Sequence, residues 1–402
     1  MSGEKTILHT AKCIRHERKI IMYNIQTLNK IAACGTDLFD KSKYTVSDDC
    51  AAPDAIMVRS AKMHDMEFAP NLLAIARAGA GVNNIPVDEC AEKGIVVFNT
   101  PGANANAVKE LAICGLLLAS RKIPEAIAWA QTLKGNGEEV GKMVEKGKSN
   151  FAGCEIMGKT LGLIGLGAIG GKLANIAVSL GMKVIGYDPF LSVGAALNLK
   201  PQVSVTSNIN DIYAQSDYIS LHLPYNKDTK DTINKETLAL CKDGVRLLNF
   251  ARGELVNSEA IIEAVGSGKV ARYVVDFPCD EVLGVENIIA IPHLGASSEE
   301  SEDNCAVMAA NELIEYIERG PIRNSGNFPN ASLSKTGNAL VCVLHKNSPN
   351  VISHITDAIS GNVENMSNTS KKDWAYTMVD VNGEVDIEAI KAIEGVVGVR
   401  VI

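Results

Sequence analysis

From about residue 53, short apolar runs alternate with amphipathic stretches, the rhythm of parallel strands joined by helical crossovers. Ala55–Val58, Leu72–Ala76 and Gly94–Phe98 read as strands, and the loops after the last two carry Ala78-Gly79-Ala80-Gly81 and Thr100-Pro101-Gly102. Val108, Leu111, Ala112, Leu116 and Leu117 recur at helical spacing, predicting a helix over Asn104–Ala119. Residues 133–151 are polar and glycine-bearing, and read as a loop and a crossing point between domains. Six strands are then predicted, at Thr160–Ile164, Lys183–Tyr187, Tyr218–Leu221, Val245–Asn249, Tyr273–Asp276 and Ile288–Ala290, with helical patterns between most of them. That order fits a doubly wound sheet. A long helix follows over Glu299–Arg319, with Ser297 and Glu300 as a capping box and Gly320-Pro321 as its stop. Ile322–Lys335, rich in Asn, Ser and Pro, reads as a linker. The remainder runs strand (Ala339–Leu344), helix (Pro349–Ser360), two strands about a polar turn, helix (Ile387–Glu394) and strand (Val396–Ile402), a ferredoxin-like βαββαβ unit.

Length and composition narrow this α/β picture. At roughly 150 residues per domain, 402 residues make two or three domains. With 46% apolar and 21% charged residues the chain is globular, neither disordered nor disulfide-stapled. Its 39 basic residues against 47 acidic ones argue against nucleic acid as a partner. Apolar stretches such as Leu111–Ser120 fall short of a membrane span, so no membrane partner is expected. Ten scattered cysteines with no CxxC pair read as reduced thiols of a cytoplasmic protein, without a metal site. Residues 1–21 lack the apolar core of a secretory signal and read as an extension; Glu4 and Glu17 disfavour a mitochondrial signal.

Chemistry concentrates at strand ends. Gly165-Leu166-Gly167-Ala168-Ile169-Gly170 follows a strand and opens a helix, and Asp188 closes the next strand 18 residues beyond Gly170. Gly165 permits the tight turn, Gly167 lets backbone approach a pyrophosphate, and Gly170 lets helix and strand pack closely. The unpaired amides of the helix start hold the anion. Asp188 suits ribose hydroxyls and repels a 2′-phosphate, which favours NAD over NADP. Gly153–Thr160 also satisfies the GxxxxGK[ST] phosphate-loop pattern, but its strand comes after rather than before, so ATP and GTP are rejected. Arg252, Glu281 and His293 each lie just past a strand, where such a sheet forms its ligand crevice. Hydride transfer at a carbinol carbon needs a base, and histidine serves near neutral pH. A carboxylate orients that imidazole, and arginine forks onto a substrate carboxylate. Arg59 and Lys62, flanking Ser60 after an early strand, offer cations for a phosphorylated substrate.

Arg77–Val82 (Arg-Ala-Gly-Ala-Gly-Val), Asn99-Thr100-Pro101-Gly102, the glycine fingerprint, Ala251-Arg252-Gly253 and Pro292-His293-Leu294-Gly295-Ala296-Ser297 together resemble the D-2-hydroxyacid dehydrogenase superfamily, and within it the phosphoglycerate dehydrogenases. The resemblance runs from about Met22 to the C-terminus. It implies a Rossmann-type NAD domain (104–298) inserted in a discontinuous flavodoxin-like substrate domain (22–103 and 299–328). A linker (329–336) and an ACT-like domain (337–402) would follow. Arg252, Glu281 and His293 would be catalytic, although alignment on Phe277-Pro278 would select Asp280 in place of Glu281. Asp276 would hold the nicotinamide carboxamide, while Ala168, Ile169 and Asp188 would meet the rest of NAD. The backbone of Ala80 and Gly81, with Arg59, Ser60 and Arg252, would bind substrate. His345, Asn347 and Asn365 map onto residues that bind L-serine as an effector in related ACT domains, although Asn350 stands where the family carries glycine. The implied activity is NAD-dependent oxidation of 3-phosphoglycerate to 3-phosphooxypyruvate, at the entry to serine synthesis, by a homodimer or homotetramer. An unphosphorylated acid of the glycerate, glyoxylate or lactate type, or a non-catalytic NAD(H)-sensing interaction protein, are the alternatives.

Overall fold

The structure is a computed structural model that describes residues 22–402; the extension read at residues 1–21 lies outside the described residues. Five parallel strands come first: β1 (Tyr23–Leu28), β2 (Tyr44–Ser47), β3 (Ala55–Val58), β4 (Ala74–Arg77) and β5 (Val96–Asn99), ordered β2-β1-β3-β4-β5. β3 is buried along its whole length, so it reads as a continuous apolar run rather than an alternating one.

The chain leaves this sheet through residues 100–104 into helix α1 (Ala105–Ser120). Val108, Ala112, Leu116 and Ala119 on α1 share a core with Leu161, Leu163 and Leu248 of the next sheet. The crossing therefore falls at 100–104 and not within 133–151. That later stretch is also no plain loop, since Val140–Gly147 is helical and is flanked by 3-10 turns. Its anchor is Trp129, whose ring lies 5.2 Å from that of Phe151 and packs over Gly147.

The second sheet has seven parallel strands: β6 (Thr160–Ile164), β7 (Lys183–Tyr187), β8 (Val203–Thr206), β9 (Tyr218–Leu221), β10 (Val245–Asn249), β11 (Val270–Val275) and β12 (Ile288–Ala290), ordered β12-β11-β10-β9-β6-β7-β8. The sequence predicts six. β8 escapes because it is a four-residue edge strand with Val205 half exposed, too short and too polar to register as a buried run. The order reverses between β6 and β9, and helix α2 (Ala168–Ser179) begins at that switch point.

Helix α3 (Glu299–Arg319) returns to the first sheet, where Ala309, Ala310, Leu313 and Tyr316 pack with Ile25, Met57 and Phe98. Its cap is Ser298, whose side chain accepts from Ser301 N, and not Ser297, whose amide is taken by the Leu294 carbonyl. Gly320 stops the helix in the left-handed conformation, φ 93°.

Four antiparallel strands complete the fold: β13 (Ala339–Lys346), β14 (Asn362–Lys371), β15 (Trp374–Asn382) and β16 (Val396–Val401), ordered β14-β15-β13-β16. One face covers its own helices through Val341, Val343, Val379, Val381, Ile355 and Ile390. The other face, with Leu340, Cys342, Leu344, Tyr376 and Met378, joins Tyr316 and Phe328 in the core of the first sheet. The segment read as a linker is fastened at this seam. Ile322 bridges Ala331, and buried Phe328 stacks edge-on against Trp374 at 5.6 Å. Among the described residues no helix is long and apolar enough to cross a membrane.

Candidate active site

A cleft of about 1300 Å³ opens between the first and second sheets. Arg59, Ser60, His64 and the stretch Arg77–Val82 line it from one side, Tyr225, Arg252, Phe277 and His293 from the other, and Ser301 and Cys305 of α3 close its floor. Lys62 does not line it. Arg59 is paired with Glu302 at 2.7 Å, whereas Arg77 and Arg252 meet no carboxylate among the described residues.

In the loop after β4 the carbonyls of Gly79, Ala80 and Gly81 are engaged. Gly79 O accepts from Thr100 N at 3.1 Å, Ala80 O from Asn99 Nδ2, and Gly81 O from Arg77 Nη1. The N–H groups of Ala80, Gly81 and Val82 find no acceptor among the described residues. Three adjacent free donors on residues lining the cleft are available to an anion such as a carboxylate.

Opposite stands His293, held at φ 50°, a left-handed value uncommon for a side-chain-bearing residue. The cause of this conformation is Asp276, buried at the end of β11, whose carboxylate accepts from Leu294 N at 2.6 Å and Gly295 N at 2.8 Å. Burial raises the Asp276 pKa, and the two amides oppose that rise. A Cβ at Gly295 would sit 2.9 Å from Asp276 Oδ2, so glycine is required for the carboxylate to reach both amides. Phe277 lies between the functional groups, 4.7 Å from the imidazole and 5.8 Å from the Arg252 guanidinium.

Glu281 is not brought to His293. Phe277 takes the imidazole face, and beyond Pro278 the chain carries Glu281 into a separate cavity of about 720 Å³, shared with Ser258, Tyr273 and Cys279. A hydrogen bond with Cys279 lowers the pKa of Glu281, which is exposed. Asp280 is exposed in the same turn. The fold thus gathers Arg252 and His293 but leaves the expected carboxylate outside. It also gathers groups the sequence reading overlooked, Arg77, His64 and Cys305. Of these only Arg77 carried a signal, a charge closing the apolar run Ala74–Ala76.

At the switch point, Gly165 turns at φ 97°, and a Cβ there would meet the His222 carbonyl at 2.5 Å. A Cβ on Gly170 would overlap the Gly165 carbonyl oxygen, while one on Gly167 would meet open space. No side chain caps the first turn of α2, so its amides and the bare Gly167 form a cradle open to a diphosphate. Asp188 accepts from Leu166 N and Phe190 N, both at 2.9 Å, which fixes its carboxylate at the rim of that cradle. A Cβ on Gly102 would lie 3.1 Å from that of Ala168, so the loop that crosses between sheets runs close beside the cradle. These donors and acceptors fit a dinucleotide. The competing phosphate-loop pattern ends instead in β6, with a turn and not a helix around Lys159.

His345, Asn347 and Asn365 lie on separate strands and loops of the last sheet. His345 is buried, its ring nitrogens 2.7 Å from Lys346 O and 2.8 Å from Thr377 Oγ1, and Thr377 in turn donates to Asn368. Asn347 donates to Lys372 O at 3.3 Å. Asn365 pairs with Asp380 on the edge strand, five residues along β15 from the Ala375 that faces His345. Asn350 adopts φ 65°, a conformation asparagine tolerates almost as glycine does.

Residues 113–295 match the family model described as D-isomer specific 2-hydroxyacid dehydrogenase, NAD binding domain. The chain belongs to this family of NAD-binding dehydrogenases. Among individual relatives, it is 40% identical over 279 residues to the hydroxypyruvate reductase of Thermotoga maritima, covering 66% of this chain and 83% of that one. It is 36% identical over 289 residues to the D-3-phosphoglycerate dehydrogenase of Archaeoglobus fulgidus, covering 69% of this chain and 52% of that one. The chain spans about half the length of the phosphoglycerate dehydrogenases it matches. Among solved structures it is similar to NAD+-bound 3-phosphoglycerate dehydrogenase of Entamoeba histolytica, with a TM-score of 0.59 and 26% identity over 78% of this chain and 100% of that one.

Proposed function

We propose that the protein interconverts a 2-hydroxy acid and its 2-keto acid, and that its substrate is 3-phosphoglycerate, oxidised at C2 to 3-phosphooxypyruvate. The observation that carries this reading is the opposition of His293 and Arg252, across one cleft, to the free amides of Ala80, Gly81 and Val82. The amides and Arg252 hold the substrate carboxylate, which presents C2 to the imidazole. NAD, when bound, supplies the hydride acceptor at its nicotinamide. As the C2 hydrogen leaves with its electron pair, the hydroxyl proton passes to an imidazole nitrogen of His293, and Arg252 stabilises the carbonyl that forms.

Arg59, at the cleft wall, is the group assigned to the phosphate. Arg59→Ala is expected to raise KM for 3-phosphooxypyruvate about tenfold or more, with KM for hydroxypyruvate nearly unchanged, in assays with NADH. Better turnover of hydroxypyruvate by the unaltered protein overturns the phosphorylated substrate. That second reading has its own support, since Glu302 already neutralises Arg59 and the Thermotoga maritima relative is a hydroxypyruvate reductase. We do not extend the proposal to L-serine, because the His345 imidazole is consumed by contacts inside its own sheet. Assembly as a homodimer or homotetramer belongs to the same reading. It is supported by exposed Leu117, Ile123 and Ile127 on the flank of the second sheet, where buried Arg272 leaves one nitrogen unpartnered.

A further inference from the structure

We infer that Arg77 is a positioning residue for substrate, a half-buried guanidinium staple that gives the anion-binding loop its shape and adds a second positive charge beside it. The inference rests on the reading of the cleft as a 2-hydroxy acid site. Arg77 closes β4, and its side chain turns back under the loop that follows. Nε donates to Arg59 O at 3.0 Å and Nη1 donates to Gly81 O. One planar fork therefore ties together the loops after β3 and β4, which carry Arg59 on one side and the free amides on the other. The loop wraps the guanidinium closely, since a Cβ at Gly79 would sit 3.0 Å and one at Gly81 3.2 Å from Nη1.

Charge points the same way. A Cβ at Gly81 would also lie 3.4 Å from Arg252 Nη2, so this residue sits between two guanidiniums. Burial lowers the Arg77 pKa, and nearby Arg252 lowers it further. Two like charges held close, with no carboxylate paired to either among the described residues, are stabilised when an anion enters between them. With Nε and Nη1 spent on the Arg59 and Gly81 carbonyls, Arg77 contributes at the cleft wall by fixing the Gly81 carbonyl away from the anion and by adding positive charge beside it. Lysine has the charge but not the fork, and cannot hold Arg59 O and Gly81 O in one plane.

The test compares Arg77→Lys and Arg77→Met with the unaltered protein. KM for the best 2-keto acid is expected to rise about 30- to 100-fold in both variants, the loss expected for a charged hydrogen bond, while kcat falls by less than about tenfold. The dissociation constant for NADH should stay within about twofold, because the cradle at α2 is on the other sheet. Oxalate, a small dicarboxylate probe, should lose affinity for the NADH complex in parallel with KM. For Arg77→Ala, millimolar guanidinium chloride should recover part of the lost kcat/KM. A merely structural arginine would instead lower NADH affinity and kcat together and show no guanidinium recovery; that pattern, or KM within threefold of the original, overturns the proposal. Should the unaltered protein reduce no 2-keto acid, the oxidoreductase reading fails separately. The oxalate titration then decides on Arg77 alone, with parallel loss supporting it and equal affinity sinking it.

Discussion

His293→Asn should lower kcat by about 10²- to 10⁴-fold, the range general acid–base catalysis supplies, with the dissociation constant for NADH changed little. Asparagine suits this test because it tolerates the φ of 50° at position 293, so the turn and its Asp276 anchor persist. Alanine at that angle would add backbone strain and blur the result. Steady-state turnover and quenching of NADH fluorescence separate the two quantities. An unaltered kcat would remove the imidazole from the reaction. Among the described residues no carboxylate partners the imidazole, so Glu281→Gln serves as a companion measurement, and equal losses at both positions would mean that the two groups meet during turnover.

Glu312→Gln is expected to give the largest change in stability. Glu312 lies on α3 and is only 8% exposed. Oε1 accepts from Asn324 Nδ2 at 2.7 Å, and Oε2 has no partner among the described residues. Burial pushes its pKa up to about 8. The folded protein therefore holds a proton that the unfolded chain releases in the ordinary carboxylate range. Stability is full below that range and falls as pH rises toward about 8. Glutamine cannot ionise, so the variant should match the original at pH about 5 and exceed its thermal midpoint by roughly 5–10 °C at pH about 9. Midpoints that differ equally at both pH values would show that no proton is involved. The site also reaches function, because Asn324 O accepts from Asn99 N at 3.1 Å, and Asn99 holds the Ala80 carbonyl under the amide loop.

Much of this molecule was legible from local pattern. β6, β7, β9, β10, β12 and α3 fall at their expected bounds, because buried parallel strands are continuous apolar runs and α3 has an emphatic stop at Gly320. β8 and the helical turns near Val140 were hidden by short length and polar composition. The glycine fingerprint was readable because Gly165 and Gly170 answer local steric demands while Gly167 leaves the helix start bare. Arg252 and His293 were readable because both follow strands directly. The placement of Glu281 was not, since it depends on how Phe277-Pro278 directs a turn, which is a matter of packing rather than spacing. The role of Arg77 was equally hidden, because its partners Arg59 O and Gly81 O are backbone atoms that any sequence supplies.

The seam where Tyr376 and Met378 meet Tyr316 and Phe328 makes the last sheet a retaining wall for the first one. Cutting the chain after residue 336 would strip that wall and leave Leu313, Tyr316 and Phe328 facing solvent, a recipe for a sticky, aggregating fragment. The five-stranded and four-stranded sheets should consequently come apart together on heating, in a single calorimetric endotherm. The seven-stranded layer, sealed by oily clusters of its own, is free to open in a different one.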